Sequence, residues 1–265
     1  MKKTAIVSVL GLIFLLMVTR GASGEDKLYT PDARIADRVE IAGDYALVGP
    51  VFDFETGFGR VKVTAKGGNA GFTAKLNNNF EIGYEYIDFD IDSYFRDAAV
   101  GTSQTDAHQL SVKAVFPAKM NIEPHRIRYG AQYIYLDNSV ISGIHFANIF
   151  GTTSLGTVEA TAGISSYFGN DVDNTVGVFG NLSYTAGNEV ELFAEYNTAD
   201  YLKAVQYYLI APSAANVGVI GLTNTPEDAF SVGVKLNLRQ GYVLKFAVYD
   251  LSKQMRPVIG LAFKK

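Results

Sequence analysis

The amino-acid sequence predicts an all-β fold, namely an antiparallel up-and-down transmembrane β-barrel of about twelve strands, within a range of about ten to fourteen. Three observations predict it. Apolar and polar residues alternate from about Gly57 almost to the end of the chain, turn-forming residues interrupt this alternation at regular spacing, and the apolar faces carry almost no charge. We expect antiparallel strands because parallel strands would need crossover helices, which the pattern lacks.

The clearest strand lies at 126–136. Its apolar face holds Ile127, Tyr129, Ala131, Tyr133 and Tyr135, and its polar face begins with Arg126, Arg128, Gly130 and Gln132. A helix would scatter both sets around its circumference, so alternation of this length indicates a strand. The same alternation predicts strands at 80–86, 109–116, 158–165, 189–196, 230–237 and 242–249. Further strands are expected at 59–66, 70–77, 140–149, 175–184 and 257–263.

Small and polar residues between these segments suit the positive φ values that tight turns need. The turns predicted in this way are 67–69, 77–79, 137–139, 169–171, 186–188 and 240–241. The region 200–220 shows no clear alternation and is expected to be a long loop with a short helix.

The first 24 residues have the three parts of an export signal. A basic head at 1–3 precedes an apolar run at 5–18, and the small residues at 22–24 suit cleavage before Glu25. The run is shorter than the ~20 residues of a spanning helix. We therefore expect a cleaved signal peptide at 1–24, a polar segment at 25–56 that leads into the barrel, and a single barrel domain at 57–265.

Charge and cysteine content exclude several classes of function. The signal peptide holds three of the 23 basic residues and none of the 27 acidic residues, so the mature chain has 20 basic and 27 acidic residues, a net charge of −7. This balance argues against nucleic acid as a partner. Cysteine is absent, which excludes disulfides, thiol chemistry and cysteine-based metal sites.

Alternation alone does not separate a barrel in a membrane from a sandwich in water. The clear strands run near ten residues, which matches the ~9–11 residues that a tilted strand needs to cross a bilayer. Strands of soluble proteins are shorter, with a typical length of about five or six residues. The sequence also has 16 Tyr and 17 Phe, many of them near strand ends, where the aromatic girdles of membrane barrels lie.

With its export signal and these strands, the chain resembles the small outer-membrane β-barrel (porin-like) families of diderm bacteria over residues of about 57–263. The segment 29–34 also resembles the Thr-Pro-x-Ala opening of some such families. The alternation of Ile259, Leu261 and Phe263 fits them as well, but Lys264 and Lys265 follow where many of these barrels end on an aromatic residue. The resemblance implies an outer-membrane location, contact with membrane lipids and folding by the barrel assembly machinery.

Residues of the predicted polar faces would point into the lumen, the interior of the barrel. The charged lumen candidates are Arg60, Lys62, Glu81, Glu85, Lys113, Arg126, Arg128, Glu189, Glu191, Glu195, Lys235 and Lys245. Spread around a hydrated lumen, they would set ion or solute preference. Paired across a narrow lumen, they would instead form a plugging network of salt bridges. Both arrangements stay open at this stage.

Two groups of residues could carry other chemistry. Asp88, Asp90 and Asp92 stand at alternate positions and would face one way on a strand, as a weak cation contact, but Ala99 occupies the place of the closing Glu of a calcium loop. His108 and His145 each lie three residues from a serine, an offset that puts the two side chains on opposite faces of a strand. We therefore expect no catalytic residue, no metal site and no cofactor.

The sequence thus predicts an outer-membrane barrel that is a narrow channel or a structural protein and is not an enzyme. Membrane lipids, and small solutes or ions, are the expected partners. One alternative is a secreted or periplasmic all-β binding module, lipocalin-like or sandwich-like. A further alternative is an outer-membrane enzyme that acts on lipid, which would need Ser and His on facing strands.

Overall fold

The structure is a computed structural model that describes residues 31, 33–36, 38–56, 59–117, 126–137, 143–169, 172–199, 228–252 and 255–264. The predicted signal peptide and the predicted loop at 200–220 lie outside these residues. Within the described ranges, no helix has the length and apolar character needed to cross a bilayer.

Twelve strands make up the described fold. They are β1 (Val39–Thr56), β2 (Gly59–Lys75), β3 (Phe80–Phe95), β4 (Ala98–Pro117), β5 (Arg126–Asp137), β6 (Ile144–Leu155), β7 (Val158–Gly169), β8 (Val172–Ala186), β9 (Val190–Asn197), β10 (Ala229–Asn237), β11 (Tyr242–Tyr249) and β12 (Arg256–Lys264). Each strand pairs antiparallel with the next, and β12 pairs with β1 to close the barrel. The predicted closed antiparallel barrel of about twelve strands is confirmed.

The strand count is right although two errors cancel in it. The structure begins the barrel at Val39, inside the segment 25–56 that was expected to precede it. It also joins the two strands expected at 59–66 and 70–77 into β2, so the turn predicted at 67–69 is wrong. The glycines there serve close backbone approach: a Cβ on Gly68 would lie 2.7 Å from the carbonyl oxygen of Asp44.

The two ends of the barrel differ. The end at which β1 starts and β12 finishes, here called the terminal end, has the short turns 76–79, 156–157, 187–189 and 238–241, together with the connection 118–125 between β4 and β5. Gly187 and Gln240 have φ values of 62° and 66°, as the predicted turns require. At the other end, here called the far end, the connection between β9 and β10 covers 198–228, and strands β1 to β4 are the longest of the barrel.

The faces of the wall follow the alternation of the sequence. Apolar side chains face outward and are exposed, for example Ile149 at 71% and Val178 at 56%. Inward-facing Ser, Thr, Asn, Gln, Glu and Lys side chains are buried. This arrangement, apolar outside and polar inside, is the reverse of a soluble protein and is the one that lipid around a barrel demands.

In β3 the polarity of the two strand faces inverts near the far end. Phe80 and Ile82 face outward, yet Ile87 and Ile91 face inward and are only 4% and 1% exposed. The aspartates between them therefore face outward. The register with β4 is unbroken from Phe80 to Ser93, so the inversion comes from the sequence and not from a bulge. The outward apolar band consequently ends near Tyr86, and the wall beyond it has an apolar inside and an acidic outside.

Candidate functional site

The terminal half of the lumen is lined with charged and polar side chains from nearly every strand. The best-buried ion pair joins Lys113 Nζ on β4 to Glu81 Oε1 on β3 at 3.0 Å, with the two side chains 0% and 1% exposed. These two residues are direct neighbours in the strand register, so the ladder itself brings them together. Because both side chains point into the lumen and are still fully buried, the part of the lumen next to this ion pair must be filled by other protein atoms.

The occupant is the segment just before β1. Its described residues, Pro31 and 33–36, are here called the luminal segment. Three hydrogen bonds tie its backbone to inward-facing side chains of three different strands. The Ala33 amide donates to Thr152 Oγ1 at 3.0 Å, the Ala36 amide donates to Glu81 Oε2 at 2.8 Å, and Asn181 Nδ2 donates to the Pro31 carbonyl at 3.2 Å. Partners on β6, β3 and β8 can be reached together only from inside the barrel.

Arg34 is the charged anchor of the luminal segment. Its Nη2 and Nη1 atoms lie 3.3 and 3.5 Å from the two carboxylate oxygens of Glu191 on β9. Its Nε lies 3.5 Å from Glu159 Oε1 on β7. The other oxygen of Glu159, Oε2, accepts from Arg128 Nη2 at 2.9 Å and from Ser154 Oγ at 3.2 Å. One guanidinium is thus shared between two carboxylates of the wall.

Apolar contacts also hold the luminal segment. Ala33 packs in a buried cluster with Val115, Phe150 and Phe179 of the wall, and Ile35 packs against this cluster. Three of the four buried members point inward from β4, β6 and β8. Large apolar side chains inside the lumen are unusual for a hydrated pore, whose interior is polar. They are explained here by the segment that they cover.

A small cavity of about 40 Å³ lies along the opposite wall, formed by β10, β11, β12 and β1. Lys235 and Lys245 face Glu40 and Asp44 across it, and Lys245 Nζ forms an ion pair with Asp44 Oδ2. Gly260 makes room for that pair, because a Cβ there would lie 2.0 Å from Asp44 Oδ1. The contacts described for the luminal segment are with other strands, namely β3, β4, β6, β7, β8 and β9.

The structure places eight of the twelve charged lumen candidates on the inward face of the wall. They are Glu81, Glu85, Lys113, Arg128, Glu191, Glu195, Lys235 and Lys245. Glu85 is 4% exposed and accepts a hydrogen bond from Gln109 Nε2 at 2.9 Å. Lys235 Nζ lies 5.8 Å from the ring centroid of inward-facing Phe193. Acidic and basic side chains therefore both line the terminal half of the lumen.

Three of the other four candidates lie elsewhere. Arg60 and Lys62 share the alternation of Lys66, whose ammonium lies 3.7 Å from outward-facing Asp90, so they lie on the outward side of β2. The expectation fails there because polarity inverts beyond the apolar band, as it does in β3. Glu189 lies exposed in the turn between β8 and β9, and Arg126 is the first residue of β5.

The three aspartates Asp88, Asp90 and Asp92 share the outward face of β3. Both carboxylate oxygens of Asp88 accept from Gln104 Nε2 at 3.1 Å, and Asp90 pairs with Lys66. Among the described residues, no group of three His, Cys, Asp or Glu side chains could hold a metal ion. This surface is an acidic, hydrogen-bonded strand face beyond the apolar band.

The histidines belong to the outer aromatic surface. His108 stacks with Tyr84 at a centroid distance of 6.1 Å, and its Nδ1 lies 2.7 Å from the Tyr84 hydroxyl. His145 stacks with Phe168 at 5.2 Å. Ser111, three residues from His108, is buried on the inward face, so these two side chains lie on opposite sides of the wall. His125 and Ser142 lie outside the described residues.

Sequence reasoning missed the residues that complete the network. Arg34 and Asp44 lie in the segment 25–56, where no clear period guided the interpretation. Glu159 lies on the polar face of the strand predicted at 158–165 but is not among the charged lumen candidates. Its position next to Glu191 on the inner wall depends on the strand order, which places β7 two strands from β9.

Solved structures of outer-membrane barrels are similar to this fold. An outer membrane channel from Pseudomonas putida F1 has a TM-score of 0.54 at 10% identity, with 92% of this chain and 99% of that chain covered. The KdgM porin, solved also in complex with disordered oligogalacturonate, has a TM-score of 0.51 at 11% identity, with 85% and 99% covered. No family model and no curated protein sequence matches the chain. At these identities the likeness shows a shared outer-membrane β-barrel fold.

Proposed function

We propose that this protein is an outer-membrane channel of small conductance whose lumen is narrowed by its own N-terminal segment. The observation that carries the proposal is that side chains, and not a strand ladder, hold the luminal segment inside the barrel. Barrels of about eight strands are filled by their own side chains, whereas those of about 16 strands are open. A twelve-strand lumen lies between these cases, and here a separate piece of chain fills it.

The proposed orientation follows from the two ends. Outer-membrane barrels have short turns at the periplasmic side and longer loops outside the cell. The terminal end, with its short turns, would then face the periplasm, and the chain would enter the lumen directly from it. Export by a cleaved signal peptide at 1–24, contact with membrane lipids and folding by the assembly machinery are part of the same proposal.

The remaining passage would follow the wall formed by β10, β11, β12 and β1. The cavity there is about 40 Å³ and is lined by charges of both signs, so it suits ions and very small hydrophilic solutes. The two similar structures named above are a porin and an outer membrane channel, which supports passage of solute as the class of function. The proposal involves no covalent chemistry, no cofactor and no nucleic acid.

A passive structural barrel is the second candidate. The complete burial of Lys113 and Glu81 favours it, because a pair that is 0% and 1% exposed contributes nothing to an open aqueous path. The two candidates differ in whether the luminal segment can be displaced. Hydrogen bonds to side chains, one anchoring arginine and a small apolar cluster hold it, without a strand ladder among its described residues, so we favour a displaceable segment.

The experiment is to purify the mature protein from outer-membrane fractions and reconstitute it in planar bilayers. A variant with residues 31–36 replaced by a Gly-Ser linker should show unit conductance several times that of the wild type, because the narrowest part of the lumen is removed. Arg239→Ser, at an exposed turn of the same end, is the control and should match the wild type. No conductance steps in either protein at any voltage would leave only the structural candidate.

A further inference from the structure

At the far end the wall of the barrel has uneven height. β3 and β4 stay paired up to Phe95 and Ala98, whereas the ladder between β4 and β5 begins only at His108 and Asp137. On the other side, β1 pairs with β2 over its whole length and with β12 only up to Ala46. The far parts of β1 to β4 are therefore a four-stranded sheet that projects beyond the neighbouring strands.

Residues 101–107 of β4, here called the β4 edge, border this sheet on the side of β5. The Val115 amide donates to the Asn79 carbonyl, on the β3 side of the strand. N–H and C=O groups point to alternate sides along a strand, and the register with β3 is unbroken over 101–114. Within the described residues, no strand pairs with the side of the β4 edge that faces away from β3. The backbone groups that point to this side are those of Thr102, Gln104 and Asp106.

The β4 edge is open on this side. Gln104 and Asp106 are exposed, and a Cβ placed on Gly101 would have no heavy atom within 4 Å. Protected edges carry Lys, Pro or a bulge that prevents pairing with another chain. The β4 edge has no Lys and no Pro, and its register with β3 is regular. It therefore lacks the usual barriers to pairing with a further strand.

The outward face next to the β4 edge is acidic. Asp106 and Asp88 are direct neighbours in the register of β4 and β3, and both face outward. Like charges directly opposite each other destabilise a sheet. Both carboxylate oxygens of Asp88 accept from a neutral amide, Gln104 Nε2, at 3.1 Å. A cationic side chain on a strand added beside Asp106 would lie within pairing distance of this carboxylate and relieve the repulsion.

We propose that the β4 edge binds an extended, cationic segment of a partner protein, which adds to the sheet as a further strand. Lys or Arg at alternate positions of the segment would lie beside Asp106. The mature chain has a net charge of −7, so a second copy of it is a poorer match than a cationic partner. This inference goes beyond the proposed channel, because pairing at the edge needs no passage through the lumen.

The test uses the full mature protein in a non-ionic detergent and a fluorescent seven-residue peptide in which Lys alternates with Val. This peptide should bind at least tenfold more tightly than its counterpart with Glu in place of Lys. A Lys–Val peptide with methylated backbone nitrogens keeps the charge but cannot donate to the ladder, and it should bind at least tenfold more weakly.

Variants of the protein test the same two features separately. Gln104→Pro removes an N–H on the open side and spares the ladder with β3, so it should weaken binding at least tenfold. Asp106→Asn should weaken binding at least threefold. Asp90→Asn, an equal change of charge one strand further from the edge, should change it less than twofold, because Asp90 pairs with Lys66.

Equal binding of the Lys and Glu peptides, or binding that neither backbone methylation nor Gln104→Pro weakens, would overturn the inference. Wild-type protein that self-associates in detergent and becomes monomeric with Gln104→Pro would also overturn it, since a second copy would then occupy the edge. A heat-modifiable shift in gel mobility shows that each variant is folded. If Gln104→Pro does not fold, the methylated peptide decides the question with the wild type.

Discussion

At the scale of single residues, charge burial divides this protein into two regions. Lys113 and Glu81 lie inside the wall, 3.0 Å apart and almost completely buried. Lys66 and Asp90 lie outside it, 3.7 Å apart and 38% and 48% exposed. The same kind of ion pair therefore has two different energetic roles, because water screens the outer pair and is excluded from the inner one.

Substitution should show this difference directly. Lys113→Met removes the fully buried ammonium group that pairs with Glu81 and should destabilise the barrel by about 3–5 kcal/mol. Lys66→Met, the matched surface change, should cost less than about 1 kcal/mol. Urea titration of the folded barrel in lipid vesicles measures both. Combining Lys113→Met with Glu81→Gln should recover part of the loss, and equal costs for the two single changes would contradict the burial assigned here.

At the scale of elements, close approach between neighbouring strands depends on a few glycines. A Cβ on Gly71 of β2 would lie 2.1 Å from the carbonyl oxygen of Tyr84 and 2.7 Å from the Cα of Glu85, both in β3. Backbone atoms cannot give way as a flexible side chain can. The sequence pattern predicts a turn at the neighbouring Gly67 and Gly68, whereas the structure uses both inside a continuous strand.

Gly71→Ala should therefore push β2 from β3 and cost about 1–3 kcal/mol, as overpacking does in other well-packed sites. Gly101→Ala in β4 is the matched control, because nothing lies within 4 Å of a Cβ placed there. Folding yield into vesicles and the urea midpoint are the measurements. A control that loses as much stability as Gly71→Ala would show that loss of glycine in a strand, and not the contact with β3, is responsible.

At the scale of the whole molecule, the outward apolar band defines where the bilayer lies. Ile149 on β6 is 71% exposed in the band, whereas Gln104 on β4 lies beyond its end, among the outward aspartates. Exposure of this kind would be a liability in water, and in lipid it is the expected outer surface.

An arginine substitution tests this placement. Ile149→Arg should destabilise the barrel in lipid vesicles by about 2–4 kcal/mol, because a charge near the midplane loses its hydration. Gln104→Arg should cost about 0–1 kcal/mol, since its position lies outside the apolar band. Urea unfolding in vesicles of defined thickness gives both values. If Ile149→Arg costs no more than Gln104→Arg, the face that holds Ile149 is not covered by lipid.

The sequence by itself determined the all-β class, the antiparallel pairing and which face of most strands is apolar. It could do so because alternation is a local property: each residue's side follows from its neighbours, as in β5, where Tyr129 and Tyr133 face outward and Gln132 faces inward. The same locality explains the errors. Arg60 and Lys62 follow the alternation but lie where polarity inverts, and the inversion depends on where the bilayer ends.

Only the tertiary structure decided what fills the lumen. Arg34, Glu159 and Glu191 are far apart in the chain and meet because barrel closure brings β7 and β9 around the segment that precedes β1. No period marks that segment, since its backbone hydrogen bonds go to wall side chains and not to a strand ladder. Contacts between this segment and the wall join residues that are far apart in the chain. The local alternation of apolar and polar residues therefore holds no information about them.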